Sequence, residues 1–279
     1  MALRVVTDST ADLPPKVAEE LRIVVVPLAV NFGNESYLDG VDLSADEFYH
    51  KLQHSPALPT TSQPSPGAFA QTYDRLAAET SEILSIHISA KLSGTYASAI
   101  AGRDLAGAGA RIEVIDSLQT SMGLGLLAIM AANAANNGAS LDAVVEMVER
   151  AIPRTQFFGA VDTLEYLQKG GRIGKAQFWL GTLLNVKPLL ACRDGETYPL
   201  ERVRSHKRAL ERLVELALEH KNIQDMAVMH STTPADAELT SERLSAAFPG
   251  ERIYRARFGP VIGTYLGPGA VGVALREGE

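Results

Sequence analysis

Hydroxyl side chains gather at a few places in this sequence, and where they gather points to chemistry. Thr7, Ser9 and Thr10 stand in "TDST", at the end of the first apolar run. Thr60, Thr61 and Ser62 open "TTSQPSPGAF", Ser93 and Thr95 flank Gly94 in "AKLSGTY", and Ser117, Thr120 and Ser121 lie in "DSLQTS". Hydroxyls and free backbone N–H groups at strand ends and helix starts make a weakly positive site that suits an anion. Ser and Thr also open helices for capping alone, and Ser65 before Pro66 reads as such a cap. Thr60, Thr61 and Ser62 precede that cap, and one helix does not need them all. These loops are poor in cations. Lys91 is the single Lys or Arg of "SIHISAKLSGTY", and "TTSQPSP" and "GTYLGPG" hold none. Sites for di- and triphosphates usually add Lys, Arg or Mg²⁺. One carboxylate, held by charge-assisted hydrogen bonds, is the better match.

Other chemistries fail on spacing. "KGGRIGKA" has Lys169 where a Walker loop needs Gly, and Ala176 where it needs Ser or Thr. "GLGLLA" matches a dinucleotide fingerprint only formally, since it lies inside an apolar run several residues past "RIEVID". His50 and His54 have the spacing of a helical metal pair but lack HExxH, so no metal is expected. No G-x-S-x-G elbow surrounds Ser93. His87 and His230, at strand ends, are candidates for a base, and nothing in the sequence pairs either with a nucleophile. The single cysteine, Cys192, rules out an internal disulfide and reads as a small buried residue.

The elements that would position these residues follow from the apolar pattern. Strand-like runs alternate with helical stretches from "RVVTDS" and "PPKVAEELR" through "IVVVPLAVNF", "SADEFYHKLQHS", "ILSIHIS" and "RIEVIDS" to a long apolar helix in "GLGLLAIMAANAANN". Near-continuous apolar strands alternating with helices predict a three-layer α/β domain with a parallel sheet over residues 1–153. Beyond it the Asp194-Gly195 pair between two extended runs signals a hairpin, which parallel sheets do not use. Residues 154–279 therefore read as a second, two-layer α/β domain with a mixed sheet, ending in "FGPVIGTYLGPGAVGVAL", where a Gly/Pro turn should lead into a strand. The chain has 279 residues, 46% apolar, and a formal charge of −7 with no basic tract, which argues against nucleic acid. "MALRVVTDST" lacks a signal-peptide pattern and no apolar run could span a bilayer, so a cytoplasmic protein without membrane insertion is expected.

Eight segments taken in order, "VTDSTADLP", "YLDGVDLSADEFY", "TSQPSPGAF", "ISAKLSGTYASA", "VIDSLQTSMGLG", "LEYLQKGGRIG", "NVKPLL…RDG" and "GPVIGTYLGPGAVGVA", resemble the DegV family of bacterial fatty-acid-binding proteins over essentially the whole chain. The resemblance implies a carrier, not a catalyst, that buries a long-chain fatty acid such as palmitate between two domains and presents its carboxyl to a separate ATP-dependent fatty acid kinase. No cofactor is implied. By motif match, Thr61, Ser62 and Ser93 would hold the carboxylate, with the N–H of Gly94 or Thr95 assisting, and Arg172 would lie in a basic turn facing the kinase. "MGLGLLAIMAA" and "FWLGTLLNV" are apolar enough to line the channel. The sequence departs from the family's "GTHTGPG" at Tyr265 and Leu266: a phenol still donates a hydrogen bond at the carboxylate end but cannot become cationic as imidazole can. The residue pattern alone leaves open an enzyme that processes a small carboxylate or phosphate with the same hydroxyls, or a docking subunit whose lipid is structural.

Overall fold

The computed structural model describes residues 3–107, 109–180 and 186–278. The chain runs β1 (Arg4–Asp8), α1 (Pro15–Glu20), β2 (Val24–Val26), β3 (Ala29–Phe32), β4 (Glu35–Leu38), α2 (Ala45–His54), β5 (Thr60–Ser62), α3 (Pro66–Ala77), β6 (Glu82–His87), α4 (Thr95–Leu105), β7 (Arg111–Asp116), α5 (Ser121–Asn136) and α6 (Leu141–Ala151). It continues with β8 (Thr155–Ala160), α7 (Glu165–Lys169), β9 (Lys187–Arg193), β10 (Glu196–Val203), α8 (His206–Leu218), β11 (Ile223–His230), α9 (Pro234–Ala247), β12 (Arg252–Arg257), α10 (Pro260–Leu266) and β13 (Val271–Glu277).

β1, β2, β6 and β7 form a parallel sheet in the order β2-β1-β6-β7, with Val5 paired to Leu84 and Leu84 to Glu113. Successive residues of a strand face opposite ways. Val6 and Ile83 therefore join Phe69, Tyr73 and Leu76 of α3 on one side, while Val5, Leu84 and Ile86 join Leu124 of α5 and Val144 of α6 on the other. Both faces are covered, and the predicted three layers are present. The three-stranded sheet was not predicted: β4 and β5 were not read as strands, and "IVVVPLAVNF" is two strands in two sheets. Pro27 has no N–H to continue the ladder, so β2 stays in the parallel sheet, and β3 pairs antiparallel with β4 and β5 in a three-stranded sheet where Val30 faces Thr61.

The second half builds a mixed sheet ordered β10-β9-β8-β13-β11-β12, antiparallel except for β11 with β12. The hairpin at Asp194-Gly195 joins β9 to β10, with φ 53 and 79 at those residues. Val271, Val273 and Leu275 of β13 pack toward α8 and α9. The opposite face, with Ala227 and Ala274, packs on α5. Helix α5 thus lies between the two sheets, and twelve of its sixteen residues are buried; a helix apolar all round is a buried helix. Among the described residues no helix is long and apolar enough to cross a membrane.

The C-terminal segment holds the expected turn, with Gly267 and Gly269 at φ 72 and 77, leading into a strand, and adds an element that was not expected before it. "PVIGTYL" is helix α10, opened by Pro260 and ended by Gly267 at φ 72, and the strand begins only at Val271. Pro just inside the start and Gly just past the end are the helix signals that the apolar run concealed.

Candidate functional site

A narrow cavity opens between the strand ends of the parallel sheet and the second half, with about 720 Å³ of space counted together with the solvent at its mouth. The first half contributes Thr10, Leu28, Thr61, Ile88, Ser93 and Thr120 to its wall. The second contributes Phe157 of β8, Leu190 and Cys192 of β9, Arg172, and Val261, Ile262 and Tyr265 of α10. Most of this surface is aliphatic or aromatic. Burial, with the charges of Asp116, Asp194 and Glu196 nearby, pushes the Cys192 thiol up to about 12, so it acts as a neutral apolar wall group.

Several polar groups meet at one place. Thr61 Oγ1 and the Tyr265 hydroxyl are 2.6 Å apart. The Arg172 guanidinium lies over the Tyr265 ring, 5.1 Å from its centre, and its Nε donates to the carbonyl of Leu92, the residue before Ser93 (3.1 Å). Ser93 Oγ is held 2.8 Å from Thr95 Oγ1. Gly170 is required here because a Cβ would sit 2.5 Å from Tyr265 Cδ1. The loop after β5 is tied to α4 by Gln63 Nε2, which donates to Ser98 Oγ (3.2 Å).

The hydroxyls singled out in the sequence do not all reach the cavity. Thr61, Ser93 and Tyr265 line it. Ser62, one residue on, is exposed and off the wall, as side-chain alternation along a strand requires. Gly94 caps α4 and Thr95 is buried beneath it; Thr95 fixes the Ser93 hydroxyl and does not line the cavity. Arg172 corrects the expectation of a cation-poor site, because it is part of the wall and its guanidinium stacks on Tyr265, which also lines the cavity. Lys91 is exposed and faces Glu196 at 3.8 Å. The stretch "MGLGLLAIMAA" contributes nothing to the lining: enclosed by two sheets, α5 has no face left for it. Of "FWLGTLLNV", residues 181–185 lie outside the described residues, and Phe178, Trp179, Leu180 and Val186 are not on the wall. Leu28, Ile88, Phe157 and Leu190 were not singled out beforehand, since each looks like ordinary core until the two halves are juxtaposed.

Two carboxylic acids fix the start of α10. Asp12 Oδ1 accepts from Gly259 N (2.8 Å), and Ser121 Oγ donates to Asp12 Oδ2 (2.5 Å). Burial holds the Asp12 acid well above the usual carboxylate range. Burial also raises Asp39 to about 7, against hydrogen bonds from Ser9 and the Val261 amide.

His87 does meet a serine. Ser85 Oγ is 2.7 Å from His87 Nε2, and His87 Nδ1 is 2.9 Å from Asp8 Oδ2. All three residues are completely buried, and Ser85 also accepts from the Tyr73 hydroxyl (2.9 Å). Fully satisfied and off the cavity wall, this is a core polar network with no opening for a substrate. His230 is half-buried with its pKa lowered by burial and by Arg257. His50 and His54 stack on α2, and among the described residues no group of three His, Cys, Asp or Glu side chains could hold a metal.

A family profile described as "Uncharacterised protein, DegV family" matches residues 2–278. A DegV domain-containing protein of Halalkalibacterium halodurans is 39% identical over 281 residues, covering 98% of this chain and 97% of that one. Among solved structures, the chain is similar to Bacillus subtilis DegV, described as a fatty acid binding protein, at 35% identity and TM-score 0.92 over 100% of both chains. It is likewise similar to a stearic acid-binding protein from Eubacterium ventriosum at 25% identity and TM-score 0.92, over 99% of this chain and 98% of that one.

Proposed function

The chain belongs to the DegV family, and from that premise we propose that it binds a long-chain fatty acid between its two halves, the carboxylate beside Thr61, Ser93 and Tyr265. The observation that carries this reading is the polarity of the cavity: an aliphatic and aromatic wall with hydroxyls and a guanidinium gathered at one place. An amphiphile with one anionic head fits that division. The binding described for the Bacillus and Eubacterium proteins supports it. Burying about a dozen methylenes at about 0.8 kcal/mol each gives a gross gain of roughly 10 kcal/mol, reduced by the cost of association, so the tail dominates affinity and the hydroxyls set orientation. In this reading residues 1–153 bring most of the carboxylate-binding loops and residues 154–279 close the cavity.

The role is that of a cytoplasmic carrier that presents the carboxyl to a separate kinase. The half-exposure of Arg172 at the wall supports a role for it at the partner-facing end of the cavity. The test is native mass spectrometry of protein purified from bacterial cells, followed by delipidation and rebinding. One bound long-chain acid per chain is expected. Delipidated protein that takes up no fatty acid defeats the proposal, and a Thr61→Ala, Ser93→Ala double variant of unchanged affinity defeats the head-group assignment.

A further inference from the structure

We propose that the buried carboxyls of Asp12 and Asp39 are a proton-operated latch on α10, holding the helix against the cavity while protonated and loosening it, with faster ligand release, once ionised; the proposal rests on the fatty-acid reading above. Helix α10 lies between two openings. On one side Val261, Ile262, Tyr265 and Leu266 line the cavity. On the other, Gly259 and Pro260 line a wider groove between the two halves, together with Asp8, Asp12, Asp39 and His230. The helix has no capping side chain of its own. Instead Asp12 Oδ1 accepts from Gly259 N (2.8 Å) and Asp39 accepts from the Val261 amide. Both carboxyls converge on one residue: the point where Gly259 would carry a Cβ is 3.0 Å from Asp12 Oδ1 and 3.3 and 3.7 Å from the two oxygens of Asp39. Neither acid is on the cavity wall, so they act as positioning residues through α10.

The surroundings favour the neutral acids. Asp39 is 6% exposed, and its Oδ2 is buried without a hydrogen-bond partner, which costs a carboxylate more than a carboxylic acid. Burial is the main reason both acids are raised, Asp39 to about 7; Asp8 adds like charge to both, and Asp39 adds it to Asp12. The other ionisable groups around the pair are already engaged. Asp8 meets His87 at 2.9 Å, Arg257 is bound to Asp46 and the Ser231 carbonyl, and Arg255 pairs with Glu238. Burial keeps the Tyr49 phenol neutral and lowers His230. Ionising Asp12 and Asp39 therefore sets like charges at one glycine, and they regain water as the start of α10 yields toward the groove. The closed form holds the Asp39 proton to about pH 7, whereas a hydrated, open form releases it near the ordinary 3.8. Between those values each pH unit favours opening by up to about tenfold, and above about 7 the gain is constant.

The experiment follows release of radiolabelled hexadecanoate from loaded protein into excess phosphatidylcholine vesicles at about pH 5.5 and about pH 7.5. Wild type, Asp39→Asn and Asp12→Asn are compared by each protein's own ratio of the two rates. The ionisation of the ligand is common to all three and cancels between the ratios. Wild type should release about ten- to thirtyfold faster at the higher pH. Asp39→Asn, which keeps the shape of the neutral acid, should bring the ratio down to about twofold, and Asp12→Asn should lower it as well; a flattened ratio in either variant sustains the latch. Equal ratios in wild type and both variants would assign the pH dependence to the ligand and overturn the proposal, as would wild-type release that does not accelerate. Fast release at both pH values from folded variants would show that the carboxyls are merely structural and overturn it too. Where one variant fails to fold, as judged by far-UV circular dichroism, the ratio of the other decides. Wild type that takes up no hexadecanoate brings down the fatty-acid reading itself, a distinct result.

Discussion

Tyr265 is one side chain with two polar duties: its hydroxyl meets Thr61 and its ring face carries Arg172. The two can be separated. Tyr265→Phe keeps the platform and removes the hydroxyl, so the affinity of delipidated protein for hexadecanoate should fall a few-fold while Arg172 keeps its place on the ring. Thr61→Val in that background should add little, because residues sharing one hydrogen bond are non-additive; losses in a double-mutant titration that simply add would show that the two hydroxyls act apart. Tyr265→His brings an imidazole beside Arg172, where the like charge disfavours its protonation. At this scale much of the site was legible. Thr61 stood out as a hydroxyl that capping did not require, whereas Ser93 and Tyr265 were marked by the family resemblance. The inward turn of Arg172 was not legible, because it depends on the Leu92 carbonyl, 80 residues away in sequence. Ser62 was overcalled because a motif lists neighbours together, whereas a strand turns them apart.

Helix α10 has only seven residues, so its position depends on what grips its ends. The amide of Gly259 donates to Asp12, and a Cβ on Gly259 would lie 3.0 Å from Asp12 Oδ1 and 3.3 Å from Asp39 Oδ1. Both acids favour the protonated form in the fold. For Asp39 the proton is retained to about pH 7 when folded and lost near the ordinary 3.8 when unfolded. Between those values the folded chain binds more protons, so this group's stabilisation is complete below about pH 4, declines as pH rises toward 7, and is then constant. Asp39→Asn keeps the neutral shape and removes the titration. Its urea midpoint should exceed that of wild type at pH 8, with the difference shrinking toward pH 4; parallel curves for the two proteins would refute the assignment. Asp12 shifts in the same direction and leaves the variant a residual slope. Most strands and most helices were legible from apolar runs and their punctuation, but the short β4 and β5 were not. Helix α10 and the break at Pro27 were missed for one reason: short apolar segments look alike whether they pair, coil or change sheets.

At the scale of the whole molecule, the boundary near residue 153 divides the topology more sharply than it divides the core. Helix α5 belongs to the first half by sequence, yet it touches β1 and β6 on one side and β8, β11 and β13 on the other. One apolar cluster accordingly joins Val5, Leu84 and Leu124 to Phe157, Ala227 and Ala274. The sequence showed that α5 is apolar all round; that the second apolar face belongs to another sheet required the tertiary arrangement. A fragment of residues 1–153 would leave that face in water, a contiguous apolar patch of the kind that drives association. We therefore expect the fragment to bind a hydrophobic dye and to associate, and the full chain to unfold in one step, with far-UV circular dichroism and the fluorescence of Trp179 tracing coincident urea transitions. A monomeric, cooperatively folded fragment would instead establish two independent domains. The distinction bears on binding, because a shared α5 core fixes the relative placement of Thr61 and Ser93 on one side and Arg172 and Tyr265 on the other. Gly125 tests that link without cutting the chain: an added Cβ would lie 2.8 Å from the Ala11 carbonyl and 2.8 Å from Met122 Sδ. Gly125→Ala should therefore destabilise the protein by about 1–3 kcal/mol and lower the Trp179 transition of the second half together with the circular dichroism transition; a Trp179 midpoint left in place would show that the second half unfolds on its own.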